Sequence, residues 1–204
     1  GRQRDSEILT ARLMDRPLRP LFPEGYKKDT QVIATVMSSD RSNPTDVLAM
    51  IGASAALHIS DIPWQGPLAG VRVALIDGEF VAYPTFEQLE SAEIDLTVAV
   101  TRDAIVMVEG GAKEASETKI IDALMFAHRE GQKIIDLIEK IRAAVGKPKR
   151  EFSITKLDEA VAHRVAQLVD DKVRTACVIK EKKARYQAYG EAKDILTTTL
   201  TAEL

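Results

Sequence analysis

The sequence predicts an α+β chain: mixed sheets packed with helices, followed by an all-α segment. Three observations carry this. Asp77-Gly78 sits between two apolar β-branched runs, and that pair between such runs is the strongest local hairpin signal because both central residues need φ > 0. Ile94 to Val100 and Ala104 to Val108 repeat the pattern around Thr101-Arg102-Asp103. From Glu117 onward, apolar residues recur at three- and four-residue spacing, the stripe of an amphipathic helix.

Asp5 or Ser6 supplies a side-chain oxygen for a helix cap, so the first helix is expected through about Arg16. Pro17 should stop it, since the residue before a proline is pushed out of helical space. Pro17, Pro20 and Pro23 then stiffen Arg16 to Gly25 into an extended arm. Gln31 to Met37 is apolar and β-branched, which predicts a mostly buried strand, with a turn-rich stretch over Ser38 to Pro44.

Thr45 to Ser60 reads as a helix whose Gly52, Ala53, Ser54, Ala55 and Ala56 admit a close backbone neighbour. Prolines and glycines from Asp61 to Gly70 mark a junction, and VRVALI with EFVAYP forms the hairpin. Gly110-Gly111 is expected to end the second strand pair. In the long helix, Ile120, Leu124, Ile134, Ile138, Ile141 and Val145 form the stripe, and Gly131 marks a kink or a close contact. Gly146-Lys147-Pro148 ends the helix. Leu157, Val161, Val165, Leu168 and Val169 form a further helical stripe, which Val173, Cys177 and Ile179 either extend or leave for a new helix. No stop signal closes the last residues, so the chain reads as truncated at both ends. The expected divisions are residues 1–66, 67–146 and 147–204.

Composition narrows the function classes. With 45% hydrophobic and 29% charged residues, the chain is neither disordered nor low in complexity. Its apolar runs fall short of the roughly 18 residues of a membrane span. One cysteine excludes an internal disulfide framework and suits a reducing compartment. The net charge of −3 is segregated: residues 1–30 carry +2, residues 31–146 carry −8 and residues 147–204 carry +3. Such a layout steers a polyanion to the ends rather than the middle.

Few residues offer chemistry. His58, His128 and His163 lie on separate segments, none with a histidine or cysteine at i+3 or i+4, so they read as packing or surface residues. Cys177 lacks the surroundings of a nucleophile. Asp77, Glu79 and Asp95 would form a carboxylate metal site only if they converged; Asp77 is already explained by its turn. Ser42, Asn43 and Thr45 at a helix start could hold a phosphate, but Asp46 already puts a negative charge there, so this reads as a cap. The arginines say more. Arg2, Arg4, Arg12, Arg16 and Arg19 place five guanidiniums within 18 residues, with Arg12 and Arg16 on one helical face. That is a donor set suited to phosphates or a citrate-like anion; pairing with Asp5, Asp15 or Glu24 is the competing use.

The runs GRQRDSEILTARLMDRPLRPLFPEGY, QVIATVMSSDRSNPTDVLAMIGASAAL, DIPWQGPLAGVRV and DLTVAVTRDAIVMVEGGAKE resemble the first RNase PH-like core of the bacterial polynucleotide phosphorylase family. The segment from Lys147 resembles the start of that family's all-helical linker domain. The resemblance implies an RNase PH-like fold and a phosphorolytic 3′-to-5′ exoribonuclease with two such cores per chain, ring-shaped homotrimers and RNA-binding KH and OB-fold domains. It implies RNA and inorganic phosphate as partners, an RNA-degrading multiprotein complex, a cytoplasmic location and no membrane. Mg²⁺ would sit in the second core, which is absent here, and none in this part.

Laid over the active core's pattern, the helix start reads Pro44-Thr45-Asp46 instead of serines. Asp95 matches one metal-ligand position, while its partner positions are Leu89 and Thr97. The resemblance therefore implies no catalytic and no metal-binding residues in this chain. It leaves a vestigial RNA or anion site at Arg12, Arg16 and Arg19, and a role in ring assembly and RNA guidance. A non-enzymatic nucleic-acid-binding module is the competing expectation.

Overall fold

The computed structural model describes residues 2–154 and 158–203, which form two compact units, Gly1–Ser153 and Ile154–Leu204. The first unit is built on a four-stranded antiparallel sheet, order β2-β1-β3-β4. Strands β1 (Ala69–Ile76) and β2 (Glu79–Ala82) flank the Asp77-Gly78 turn, where φ is 49° and 84° as such a turn requires. Strands β3 (Ile94–Val100) and β4 (Ile105–Ala112) form the second pair.

Alternation along these strands sends side chains to two different layers. Val71, Val73, Leu75, Ile94, Leu96, Val98 and Val100 are buried against helix α4 (Glu117–Val145) through Ala123, Ala127 and Ile135. On the opposite face, Ala99 and Met107 join a core of helices α1 (Asp5–Leu18) and α2 (Asp46–Ile59) with Trp64 and Leu68. The Trp64 indole donates to the Leu18 carbonyl at 2.9 Å, tying the end of α1 to the loop before the sheet.

The α4 helix runs without interruption through Gly131, so the glycine marks a contact rather than a kink. A Cβ there would lie 2.3 Å from Val100 Cγ2, and only hydrogen lets helix and sheet approach this closely. The close approach along α2 is made by the chain entering β1: Leu68 N–H donates to Ser54 Oγ at 2.9 Å.

Several expectations are corrected. The α1 cap is Arg4, whose N–H donates to Glu7 at 2.9 Å, rather than Asp5 or Ser6. Pro17 lies inside the last turn of α1, and Arg19–Leu21 continues as a 3₁₀ turn, so the proline segment is no extended arm at its start. A proline φ near −65° suits helical and 3₁₀ backbone alike. Gln31 to Met37 forms no strand: Ile33 and Met37 are 74% and 90% exposed. A strand needs a neighbour for its N–H and C=O groups, and the described residues supply none to this segment. Gly110 and Gly111 do not end the ladder but pair with Leu96 and Asp95. At Gly110, φ is 155° and a Cβ would lie 2.1 Å from the Asp95 carbonyl oxygen, so glycine lets β4 continue.

A short helix, α3 (Phe86–Glu90), is not among the expected elements, although Thr85 accepts from Gln88 N–H in a capping box that the sequence displays. The second unit is a pair of packed helices, α5 (Glu159–Cys177) and α6 (Lys182–Glu203). The stripe extends α5 through Cys177 and leaves Ile179 in the turn; Leu157 lies outside the described residues.

Candidate functional site

Where α1 passes over the sheet, a cleft of about 310 Å³ is lined by Ser6, Thr10 and Leu13 from α1, Asp46, Arg72, Asp95, Thr97 and Glu109. Register explains the grouping. Arg72 lies opposite Thr97, and Thr97 opposite Glu109, so the three project to the same face of the sheet, and Asp95 shares that face two residues along β3.

At the centre, the Arg72 guanidinium donates to both Asp95 carboxylate oxygens, at 2.9 and 2.7 Å, and reaches Asp46 at 3.5 Å. The fork-to-fork geometry with Asp95 raises the Arg72 pKa above its ordinary value, against the opposing effect of burial. Asp46 turns its other oxygen to the Val47 N–H at 2.8 Å, so it, not Thr45, satisfies the first turn of α2. Arg16 pairs with Glu109 at the rim. Each carboxylate lining the cleft thus has an arginine partner.

This donor set does not fit a divalent cation. Both oxygens of Asp95 are committed to Arg72, Thr97 offers only a hydroxyl, and Leu89 belongs to α3. Among the described residues no group of three histidine, cysteine or acidic side chains converges, so Asp77, Glu79 and Asp95 do not form a site. The phosphate-holding alternative before α2 is also filled internally: Asp40 accepts from the Ser42 and Asn43 N–H groups at 2.9 and 3.0 Å. Those bonds, Asn43's first, hold the Asp40 carboxyl below its usual pKa.

The three arginines singled out from sequence do not share one environment. Arg19 donates to Asp15 at 3.2 and 2.6 Å, beside a larger groove of about 610 Å³ that Lys27, Lys28 and the stacked rings of Phe22 and Tyr26 also line. Arg16 faces Glu109, and Arg12 is exposed with no ion-pair partner among the described residues. Sequence reasoning missed Arg72, although a lone arginine inside an apolar strand signals a buried acidic partner.

The histidines diverge. His58 is buried at the end of α2, where its Nε2 lies 3.3 Å from Glu139 and Arg142 lies 3.4 Å from both ring nitrogens. Burial lowers its pKa, partly offset by Glu139. Lys149 caps the same helix end, donating to the carbonyls of Leu57, His58 and Ser60 at 2.9 to 3.0 Å. His128 contacts Gln132, and His163 is exposed.

An antiparallel sheet with α1 and α2 on one face and α4 on the other, its charged cleft lying at the crossing of α1, defines an RNase PH-like α+β core. Comparison with known proteins agrees. Residues 1–63 match the 3′ exoribonuclease family, domain 1, and residues 66–130 match domain 2 of the same family. The chain belongs to this RNase PH-type 3′ exoribonuclease family. A polyribonucleotide nucleotidyltransferase of Sorangium cellulosum is 66% identical over all of this chain and 27% of its own length. Proteins of the same name from Geobacter sulfurreducens and Anaeromyxobacter dehalogenans (strain 2CP-C) are 48% and 51% identical over 29% and 28% of theirs. The chain thus spans little more than a quarter of these relatives. Rice Rrp46 shares the fold at a TM-score of 0.56 and 13% identity, over 70% of this chain and 68% of that one.

Proposed function

We propose that the chain is the non-catalytic first core of a polynucleotide phosphorylase. In such an enzyme, phosphate attacks the 3′-terminal phosphodiester bond of RNA and releases a nucleoside diphosphate. The observation that carries the reading for this part is the commitment of Asp95 to Arg72, which leaves the cleft neither a carboxylate pair for Mg²⁺ nor a free cation for phosphate. Mg²⁺ and inorganic phosphate would act in a second core of the whole protein. The part described here would serve ring assembly as a homotrimer and RNA guidance, in the cytoplasm and in company with other RNA-degrading proteins. Its divisions are proposed as residues 1–66, 67–146 and 147–204, the last being the start of a helical linker domain. The relatives' shared name favours this over a nucleic-acid-binding module without an enzymatic parent.

The test is incubation of the purified chain with poly(A), phosphate and Mg²⁺. No nucleoside diphosphate should form; phosphate-dependent release by material free of host enzyme overturns the reading. A weak RNA contact through Arg12, Arg16 and Arg19 is part of the same proposal, with exposed Arg12 its freest member. Replacing all three with alanine should weaken RNA binding and flatten its salt dependence, by roughly 0.7 in log–log slope for each phosphate that is no longer neutralised. An unchanged slope removes this site from the proposal.

A further inference from the structure

Beyond the end of α4 the chain stays with the first unit for several residues. Residues 147–152 run along the C-terminal end of α2 as a strap. Lys147 N–H donates to the Ile59 carbonyl at 2.8 Å, and Arg150 N–H donates to the Asp61 carbonyl at 2.7 Å. The Arg150 guanidinium donates to the Asp61 carboxylate at 3.2 and 2.6 Å, and Phe152 meets the Tyr26 ring edge-on at 5.4 Å. At the centre, Lys149 donates to the carbonyls of Leu57, His58 and Ser60. The last carbonyls of a helix lack partners within it and carry its negative dipole end, so a single ammonium satisfies three of them.

His58 belongs to the same helix end and is 1% exposed. Facing its ring are Glu139 and Arg142 from α4, with Lys149 of the strap nearby, while α2 brings no other charged side chain to this end. One neutral tautomer satisfies both neighbours on α4. Its Nε2–H points to Glu139 at 3.3 Å, and its Nδ1 lone pair accepts from Arg142 at 3.4 Å. A second ring proton removes that acceptor and sets N–H against N–H. It also adds a third cation to Arg142 and Lys149 around one carboxylate, since Asp61 is taken by Arg150. The strap is where this repulsion is most readily relieved. Helices α2 and α4 are anchored by buried Leu57 and Ile138, whereas the strap is held mainly by the polar contacts above.

We infer that residues 147–152 form an acid-released strap, closed on the end of α2 while His58 is neutral and freed when His58 takes up a proton. The strap is the last part of the first unit, so its release lengthens the free connection to the second unit. Burial lowers the His58 pKa in the closed state, with Glu139 partly opposing it. Once the strap is free, His58 returns to the ordinary value of about 6.5. Release is therefore favoured as pH falls below about 6.5, at most about tenfold per pH unit for one proton, and levels off at the lower value of the closed state.

The experiment follows amide hydrogen exchange in the full chain by NMR between pH 7 and 5, each rate being divided by the intrinsic rate at that pH. Protection of the Lys147 and Arg150 N–H groups should fall several-fold, to a limit of roughly thirtyfold. The Glu93 N–H, which donates to the Leu75 carbonyl at 2.8 Å beside the sheet, should keep its protection. Lys149→Met should cost both strap amides at least about tenfold in protection already at pH 7. His58→Gln should abolish the acid loss, and Glu139→Gln should deepen it, because the closed state then has no carboxylate to balance the added proton. The inference is overturned if strap protection is the same at pH 7 and 5, if Glu93 loses protection in parallel, or if His58→Gln keeps the acid loss. Should His58→Gln fail to fold, Glu139→Gln decides, and an acid loss no deeper than that of the native chain overturns the strap.

Discussion

The two faces of the sheet use the same strands for different ends. Toward α4, every inward residue from Val71 to Val100 is apolar and buried. Toward α1 and α2, the apolar layer of Ala99 and Met107 gives way within one strand step to Thr97, Asp95 and Arg72. An apolar face derives its stability from area and shape. The charged face is only half-buried, and it is balanced because each ion has its counterion. Here the charged face is internally neutralised, Asp95 by Arg72 and Glu109 by Arg16.

The contrast can be broken from the apolar side first. Ile135 is 1% exposed between α4 and the sheet, so Ile135→Ala should cost about 2–5 kcal/mol in urea denaturation without altering RNA binding. A cost below about 1 kcal/mol would mean that α4 is not the principal cover of that face.

Breaking the charged face should cost less, and in a diagnostic way. Arg72→Ala strands Asp95 and Asp46 without their cation and should lose about 1–3 kcal/mol. Arg72→Met combined with Asp95→Leu removes both charges and should recover part of that loss, because the penalty lies in the orphaned carboxylate more than in the missing attraction. If the double variant is as unstable as the sum of the singles, the pair contributes packing rather than charge balance.

The smallest effect sharpens the comparison at the end of α2. Burial depresses the His58 pKa, so the unfolded chain binds the proton more readily than the folded one. The stability due to neutral His58 is therefore complete above about 6.5, the ordinary histidine value, and declines as pH falls through the lower folded value. On protonation, both ring nitrogens would carry N–H groups facing Arg142, with Lys149 nearby and only Glu139 to compensate. His58→Gln should flatten the pH dependence of the melting temperature between about pH 5 and 7, a range set around that ordinary value. An unchanged slope would assign the acid sensitivity to other groups.

Much of the fold is legible along the chain because its signals are local. The Asp77-Gly78 turn and the Gly146 stop depend on neighbours within a turn or two and stand where their residues place them. The α4 stripe gives the helix, but its buried line runs through Ala123, Ala127, Gly131, Ile135 and Ile138, with Ile120, Leu124 and Ile134 at its flank and Ile141 and Val145 exposed. The Pro44-Thr45-Asp46 departure is equally local: a carboxylate occupies the first turn of α2.

What sequence could not decide was pairing over distance. Gln31 to Met37 has the composition of a strand, but strand formation depends on a partner's hydrogen-bonding edge, which composition does not specify. Asp95 was visible as a candidate ligand, yet its fate depends on Arg72, 23 residues earlier in the chain and brought beside it only by the β1–β3 register. The arginines of α1 were recognised by spacing, while their partition into Arg16 with Glu109, Arg19 with Asp15 and an exposed Arg12 required the helix to be laid across the sheet. The sequence by itself therefore determined most of the elements and the family, through short-range backbone preferences and apolar periodicity. Only the tertiary structure decided which charges remain free, because an ion's chemistry is set by the groups within a few ångströms of it, whatever their separation along the chain.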